Sequence, residues 1–322
     1  MCAKDDSLLQ GDLMYKAKFE WPGGAHIAVV FNMSWEIPEH AVGARPKAKY
    51  KRAMRPIYEA AFADTGGMQR LVDLWDRHQI RTSCYVDGLT VTLFPELARS
   101  IRQKGHEFIV QGWTHEFLHD LTAEEQADAI ARTNKAILEV TGDRAFGFSS
   151  AGGHLTAETF SILADQGFTY SCGLRNAEVP FIIPVRGKKI VGMTSYAVSD
   201  TPAARQTLTP REVCEQWKDY FDCLYDEGKR GFPKMLAYGS HPHYANGHRI
   251  RPLEDLIDYV KGREKVWITT RGEIASYMLN YYPDHDLSAF YPEAINSDRL
   301  YGLGLGLGGQ EAVDKAYSYR DG

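Results

Sequence analysis

The chain has 322 residues, of which 44% are hydrophobic and 25% charged, and its formal net charge is -5. This composition is typical of a globular protein, and we expect one barrel-sized domain over residues 1–283. Its lysines and arginines are scattered and form no basic stripe, which argues against a nucleic-acid partner. No apolar run approaches about 20 residues, and the N-terminus has no basic start followed by an apolar stretch. We therefore expect a cytoplasmic protein with no membrane partner.

The five cysteines form an odd, widely spaced set without a CxxC pair. Three of them lie in apolar or periodic segments, which favours buried free thiols over a redox or zinc role. The cysteines are Cys2, Cys84, Cys172, Cys214 and Cys223.

Strand-like and helix-like segments alternate from the first thirty residues to about residue 280, a pattern that builds a parallel sheet or barrel wrapped by helices. The first strand is too apolar for a sheet with one wet face and should be central. The strands are predicted over residues 26–31, 82–86, 107–110, 145–148, 235–238 and 266–269. Helices are predicted over 68–77, 95–103, 210–227, 253–260 and 273–279, and after Thr122 and Thr156.

Two helix starts carry capping signals. Thr122 is followed three residues later by Glu125, and Thr209 is followed by Pro210 and then Glu212. After Pro283 the periodicity ends, and the glycine-leucine repeat over residues 302–309 cannot pack as a regular element. We expect residues 284–322 to form an arm on the surface or at a subunit contact, because exposed leucine rows are disfavoured on monomers.

Three of the predicted strands end in polar side chains suited to catalysis. These ends are residues 32–36, 111–115 and 240–243. The loops that follow parallel strands share one rim, so we expect these side chains to converge there.

Short motifs occur in a fixed order over about residues 20 to 282. They are Gly105-His106-Glu107, Gly112-Trp113-Thr114-His115-Glu116, Leu121-Thr122, Thr141-Gly142, Ser150-Ala151-Gly152-Gly153, Phe221-Asp222 and His241-Pro242-His243. In their order and spacing the sequence resembles the polysaccharide deacetylases, also called the NodB-homology or carbohydrate esterase family 4 enzymes. It is most similar to the intracellular branch of metal-independent allantoinases, cyclic imide hydrolases and peptidoglycan deacetylase-like proteins.

The resemblance implies an α/β fold, a distorted (β/α) barrel with seven or eight strands, and amide or ester hydrolysis at the carboxyl ends of the strands. It also implies a homo-oligomer such as a tetramer, with which the C-terminal arm is compatible. The expected partner is a small-molecule substrate.

The sequence departs from the family where the family binds its metal. In typical members two aspartates follow the first strand, one acting as the general base and the other as a metal ligand. This chain has no aspartate in residues 32–36. The first metal-binding histidine of the family falls at Gln111, so His115 is the only one of the usual three ligands. The arginine that orients the family's base falls at Ser149. Neutral amide and hydroxyl oxygens bind divalent metals weakly, so we expect no metal or other cofactor, with zinc favoured if one binds.

The catalytic roles must then come from the remaining side chains. We expect Glu36 to be the general base, with a pKa raised because Trp35 shields it partly from solvent. His241 falls where the family carries the general acid that protonates the leaving group. His115 and Gln111 are expected to hold the substrate carbonyl. Further substrate-binding residues are expected to be Asn32, Ser34, Trp113, Ser150 and His243. A structural role is the alternative for each residue.

The sequence therefore predicts metal-independent hydrolysis of a C–N bond in a small cyclic amide, imide, hydantoin or ureide. One alternative is a metal-dependent N-deacetylase, and a different zinc site could be formed by Glu36, His115 and His119, because the two histidines are four residues apart. Another alternative is a degenerate barrel that binds ligands without turnover. Isomerase or lyase chemistry on the same scaffold is also open.

Overall fold

A computed structural model describes residues 19–36, 62–156, 158–174, 178–195, 198–201 and 208–285. Most of the predicted barrel falls in these ranges. The predicted arm after residue 285 lies outside them, as does Cys2. Among the described cysteines, Cys84, Cys172 and Cys214 are buried free thiols and Cys223 is an exposed one. In the described part of the chain, no helix has the length and apolar character that a membrane crossing requires.

The described residues form one mixed sheet of ten strands. The strands are β1 (Ile27–Trp35), β2 (Ser83–Asp87), β3 (Glu107–Gly112), β4 (Gly147–Phe148), β5 (Tyr170–Leu174), β6 (Phe181–Val185), β7 (Lys188–Thr194), β8 (Val198–Ser199), β9 (Lys234–Ser240) and β10 (Val266–Thr269). Their order is β6-β7-β5-β4-β3-β2-β1-β9-β8, and β10 also pairs with β1. Apart from the antiparallel β6 and the short edge strand β8, eight parallel strands form a curled wall. This is the distorted (β/α) barrel that the sequence predicts.

Eight helices accompany the described strands. They are α1 (Met68–Arg77), α2 (Gly88–Leu93), α3 (Pro95–Gln103), α4 (Ala123–Thr141), α5 (Thr159–Asp165), α6 (Pro210–Lys229), α7 (Gly247–Lys261) and α8 (Arg271–Tyr281). The predicted capping boxes at Thr122 and Thr209 are both present, with reciprocal hydrogen bonds to Glu125 and Glu212. Strands β5 to β8 were not predicted, because no regular alternation of apolar and polar residues marks them in the sequence.

Strand β1 extends four residues beyond its predicted end, and the side chains alternate along its whole length. Ile27, Val29, Phe31, Met33 and Trp35 belong to one hydrophobic cluster, which α1 and α6 also join. Ala28 and Val30 belong to a second cluster on the opposite face of the sheet. Because a strand alternates with a period of two, positions 32, 34 and 36 continue the face of Ala28 and Val30. The polar residues of β1 thus lie on the inner face and lead up to the rim.

One side of β1 is shared by two strands. Its first half pairs with β10, from Ile27 with Val266 to Val30 with Thr269, while its second half pairs with β2, from Asn32 with Ser83 onward. Strand β9 occupies the other side. Helix α8 starts directly after β10, so its first residues enter the barrel where β10 stops and β2 begins.

Candidate active site

Glu36 lies at the carboxyl end of β1 and is 4% exposed. Gln111, from the end of β3, donates a hydrogen bond from Nε2 to Glu36 Oε1 at 2.7 Å. The other carboxylate oxygen, Oε2, lies 3.6 Å from Nε2 of His115 and 4.0 Å from Nε2 of His241. Side chains from the ends of β3 and β9 therefore converge on the carboxylate at the end of β1, so the three strand ends meet as the sequence predicts.

The segment after β3, which carries His115, contains two residues with positive φ angles. Gly112 has φ 141° and His115 has φ 64°, a left-handed value that is uncommon for a residue with a Cβ. The Glu116 carboxylate accepts hydrogen bonds from the Trp113 backbone N–H at 2.9 Å and from the Thr114 hydroxyl at 3.1 Å. A Cβ on Gly112 would lie 2.6 Å from Glu116 Oε2. The motif therefore requires a glycine here, and Glu116 holds the loop that carries His115.

The pKa of Glu36 is shifted in the direction opposite to the one that the sequence predicts. Burial raises it, but the charges of His115 and His241 and the hydrogen bonds from His115 and Gln111 outweigh that effect and hold the pKa well below 4.5. Trp35 lies on the opposite face of β1, where it packs near Phe94. The prediction of a raised pKa is wrong, and Glu36 is ionised at neutral pH.

His241 is held by a carboxylate that the sequence analysis missed. Its Nδ1 lies 2.5 Å from Asp200 Oδ1, and its backbone N–H donates to Asp200 Oδ2 at 2.8 Å. Asp200 directly follows β8, which is only two residues long and gives almost no periodic signal. Because Nδ1 faces Asp200, it is Nε2 that faces Glu36. The sequence signal that could have indicated Asp200 is an aspartate directly after the short segment 196–199.

Glu36 and the three side chains around it line a cavity of about 210 Å³. Six of the predicted site residues line it: Glu36, Gln111, His115, Ser150, His241 and His243. Seven others were not predicted to bind substrate: Tyr85, Ser149, Gly152, Gly153, Ser195, Thr201 and Tyr244. No lysine or arginine is among these described lining residues.

The other three predicted residues lie elsewhere, and their substrate-binding roles stay predictions. Asn32 is buried inside the barrel, where Nδ2 donates to the Tyr238 carbonyl and Oδ1 accepts from Nε of Arg271. Ser34 is buried and is not part of the cavity lining. Trp113 packs under Arg132, whose guanidinium carbon lies 3.6 Å from the ring centroid, and lines a separate surface cavity.

The donor set does not fit the metal that the resemblance implies. Gln111 occupies the position of the family's first metal-binding histidine, and its amide N–H points toward Glu36. Asn32 stands in the stretch where the aspartates would be, and both ends of its amide are engaged within the barrel. His119 stacks on Phe117 and contacts His154, so it does not join Glu36 and His115 as the alternative zinc site requires. Within the described ranges, no three His, Cys, Asp or Glu side chains are grouped to hold a metal ion.

The chain is similar in sequence to known deacetylases. The sequence profile described as polysaccharide deacetylase matches residues 60–171. A peptidoglycan deacetylase of Helicobacter pylori is 21% identical over 262 residues, 70% of this chain and 88% of the relative. The peptidoglycan deacetylase-like protein FGM2 of Gibberella zeae is 28% identical over 265 residues, 68% of this chain and 77% of the relative.

Solved structures share the fold. A crystal structure of PuuE allantoinase superposes with a TM-score of 0.73 at 24% identity, covering 82% of this chain and 93% of that one. A Mycobacterium smegmatis structure assigned to the polysaccharide deacetylases gives a TM-score of 0.74 at 24% identity, covering 84% and 96%.

The curled barrel and these relatives indicate a hydrolase that acts on carbon–nitrogen bonds other than peptide bonds. The chain matches the polysaccharide deacetylase family over residues 60–171, and it shares the fold of structures assigned to that family.

Proposed function

We propose that this protein hydrolyses the C–N bond of a small cyclic amide, imide or ureide without a metal ion. The observation that carries the proposal is the environment of Glu36, an ionised carboxylate buried between Gln111, His115 and His241 beside a polar cavity. An ionised carboxylate can take a proton from water, which is the first requirement of a general base.

The two acid-base groups have distinct parts in the reaction. Glu36 accepts a proton from a water molecule as the water oxygen attacks the carbonyl carbon. The C–N bond then breaks, and His241 donates the proton on Nε2 to the leaving nitrogen. The proton that Glu36 holds then passes to His241 Nε2, 4.0 Å away, and both groups regain their starting state. One water is consumed, and the ring opens to a carboxylic acid and an amine or amide. Asp200 acts through His241, because its contact with Nδ1 orients the imidazole with Nε2 toward Glu36.

The cavity favours a small, uncharged substrate. Its volume of about 210 Å³ suits a single ring, and its described lining offers no Lys or Arg to pair with an anionic group. A ring that contains an amide bond satisfies both conditions. The likeness in fold to PuuE allantoinase is consistent with such a substrate, whereas the names of the curated relatives point to peptidoglycan as the competing candidate.

A substrate panel tests the proposal. Lactams, cyclic imides, hydantoins, cyclic ureides and N-acetylated sugars are assayed for turnover with the wild-type protein and with Glu36→Gln. We expect turnover of at least one ring amide, and a loss of about 100-fold or more in kcat for Glu36→Gln, the size expected of an acid-base group. Glu124→Gln, an exposed position on α4, is the matched control and should keep full activity.

The same panel separates the alternatives. Dialysis against a chelator should leave the activity unchanged. A stoichiometric zinc ion whose removal abolishes turnover would instead establish the metal-dependent deacetylase. Ring amides that bind but are not hydrolysed would establish a barrel that has kept binding and lost catalysis.

A further inference from the structure

Gln111 has one end of its amide occupied and the other end unsatisfied. The ionised carboxylate of Glu36 can only accept hydrogen bonds, so the NH2 group of Gln111 must face it, as the 2.7 Å contact shows. This fixes the amide oxygen, Oε1, on the other side. Gln111 is 4% exposed, and Oε1 receives no hydrogen bond from any residue that the structure describes.

Two serine hydroxyls beside the same cavity are also buried without a hydrogen-bond partner among the described residues. Ser150 is 3% exposed and Ser195 is 9% exposed, and neither Oγ has a hydrogen-bond partner in the described part of the chain. A buried polar atom left without a partner costs about 1–3 kcal/mol, so such atoms are rare unless a ligand or water completes them. Three around one cavity indicate a ligand whose polar atoms complement them.

The chemistry of these atoms defines the ligand. An amide oxygen only accepts hydrogen bonds, so its partner must carry a hydrogen, whereas the serine hydroxyls can donate to carbonyl oxygens. A ring nitrogen that carries a hydrogen and lies next to a carbonyl group supplies both. We propose that Gln111 Oε1 accepts a hydrogen bond from the ring N–H of the substrate, so that the site selects unsubstituted amide nitrogens. The proposal rests on the proposed function, and it reverses the role of carbonyl holder that the sequence suggested for Gln111.

Three ligands of one series test this selection. They are a ring amide that the protein turns over, its N-methyl derivative, and an isomer with the same methyl group on a ring carbon. The two methylated compounds have equal volume, but only the isomer keeps the N–H. For the wild-type protein we expect kcat/KM to be about tenfold or more lower for the N-methyl compound than for the isomer, the cost of leaving Oε1 unpaired.

Gln111→Met removes the amide oxygen at similar side-chain length. It also removes the hydrogen bond to Glu36 and should slow both methylated substrates together, so the informative quantity is the ratio between them. We expect that ratio to fall to about one. A wild-type protein that hydrolyses both compounds equally, or a ratio that Gln111→Met leaves unchanged, would overturn the proposal while hydrolysis itself stands.

Binding measurements keep the two proposals apart. If no ring amide is hydrolysed, the proposed function fails, and dissociation constants of the same three compounds for the wild-type protein still test recognition. Tenfold weaker binding of the N-methyl compound than of its isomer supports the role of Gln111 Oε1, and equal binding refutes it. This comparison also needs no variant, so it does not depend on the folding of Gln111→Met.

Discussion

Two buried polar regions lie on the inner side of this barrel, and they differ in how completely their atoms are paired. The interior polar layer consists of Asn32, Ser83, Glu107, Thr194 and Arg271. Arg271 donates from Nε to Asn32 and from Nη1 to the Thr194 carbonyl at 2.7 Å, and its backbone N–H donates to the Ser83 hydroxyl. Glu107 accepts from the Ser83 hydroxyl and from the backbone N–H of Gly272. Among the described residues, Nη2 of Arg271 has no partner, whereas the other side-chain atoms named here are satisfied within the chain.

At the rim, by contrast, Gln111, Ser150 and Ser195 each keep a buried polar atom without a partner among the described residues. The named residues of both regions are buried, apart from the half-buried Glu107, so burial alone does not separate the two regions. The interior layer fills the place where α8 enters between β10 and β2, and its hydrogen bonds stabilise the fold. The unsatisfied atoms at the rim belong to residues that line a cavity, where we expect a ligand to complete their hydrogen bonds. Substitutions should therefore lower stability in the first region and activity in the second.

The largest effect is expected in the interior layer, from Arg271→Met. Arg271 is fully buried, and its removal leaves Asn32 Oδ1 and the Thr194 carbonyl without their donor and Glu107 without a nearby cation. Breaking a buried charged network in this way costs about 3–5 kcal/mol, which urea denaturation would measure. The control Arg251→Met, whose side chain is 71% exposed, should change the unfolding free energy by less than about 0.5 kcal/mol. An equally small loss for Arg271→Met would contradict the structural role of the layer.

A smaller effect is expected from His106, which lies just before β3 and bonds the Thr82 backbone N–H through Nδ1 at 3.1 Å. Burial lowers the pKa of His106 to about 4. The unfolded chain therefore binds a proton that the folded chain does not, and this contribution to stability is complete above about pH 6.5 and lost as the pH falls toward 4. Between pH 7.5 and pH 5 the loss should be about 2 kcal/mol.

His106→Gln should remove this part of the pH dependence, because glutamine can accept the Thr82 hydrogen bond without titrating. Denaturation curves of both proteins at the two pH values measure it. His248→Gln, at an exposed position, serves as the control and should keep the wild-type slope. Identical slopes for the wild type and His106→Gln would show that other groups set the pH dependence.

The smallest change in stability is expected at the rim, from Ser195→Ala. Removing a buried hydroxyl that has no partner in the described residues should leave the unfolding free energy unchanged or raise it by up to about 1 kcal/mol. Substrate binding should weaken at the same time, seen as a higher KM. A loss of stability above about 1 kcal/mol would mean that the hydroxyl has a structural partner, and the contrast between rim and interior would not hold at this position.

The sequence was most informative where the signal is local or tied to strand ends. The capping boxes at Thr122 and Thr209 depend on residues three apart, and both predicted helix starts are confirmed. Glu36, Gln111 and His241 follow strands whose ends meet at the rim, so their convergence could be predicted from chain order.

What the sequence could not supply depends on groups that only the fold brings together. The pKa of Glu36 is set by residues from the ends of β3 and β9, and its sign cannot be deduced from Trp35 next to it. Asp200 follows a two-residue strand, so neither its position nor its contact with His241 carried a periodic signal. The placement of Asn32 inside the barrel depends on Arg271, which is 239 residues away in the chain.

The sharing of one side of β1 by β10 and β2 has a consequence for biosynthesis. Strand β1 is synthesised before every other described strand, but half of one edge stays unpaired until β10, the last described strand, has been made. Contacts this distant in sequence slow folding, and an open strand edge invites association with other chains. Nascent chains that stop before residue 266 should therefore need protection by chaperones.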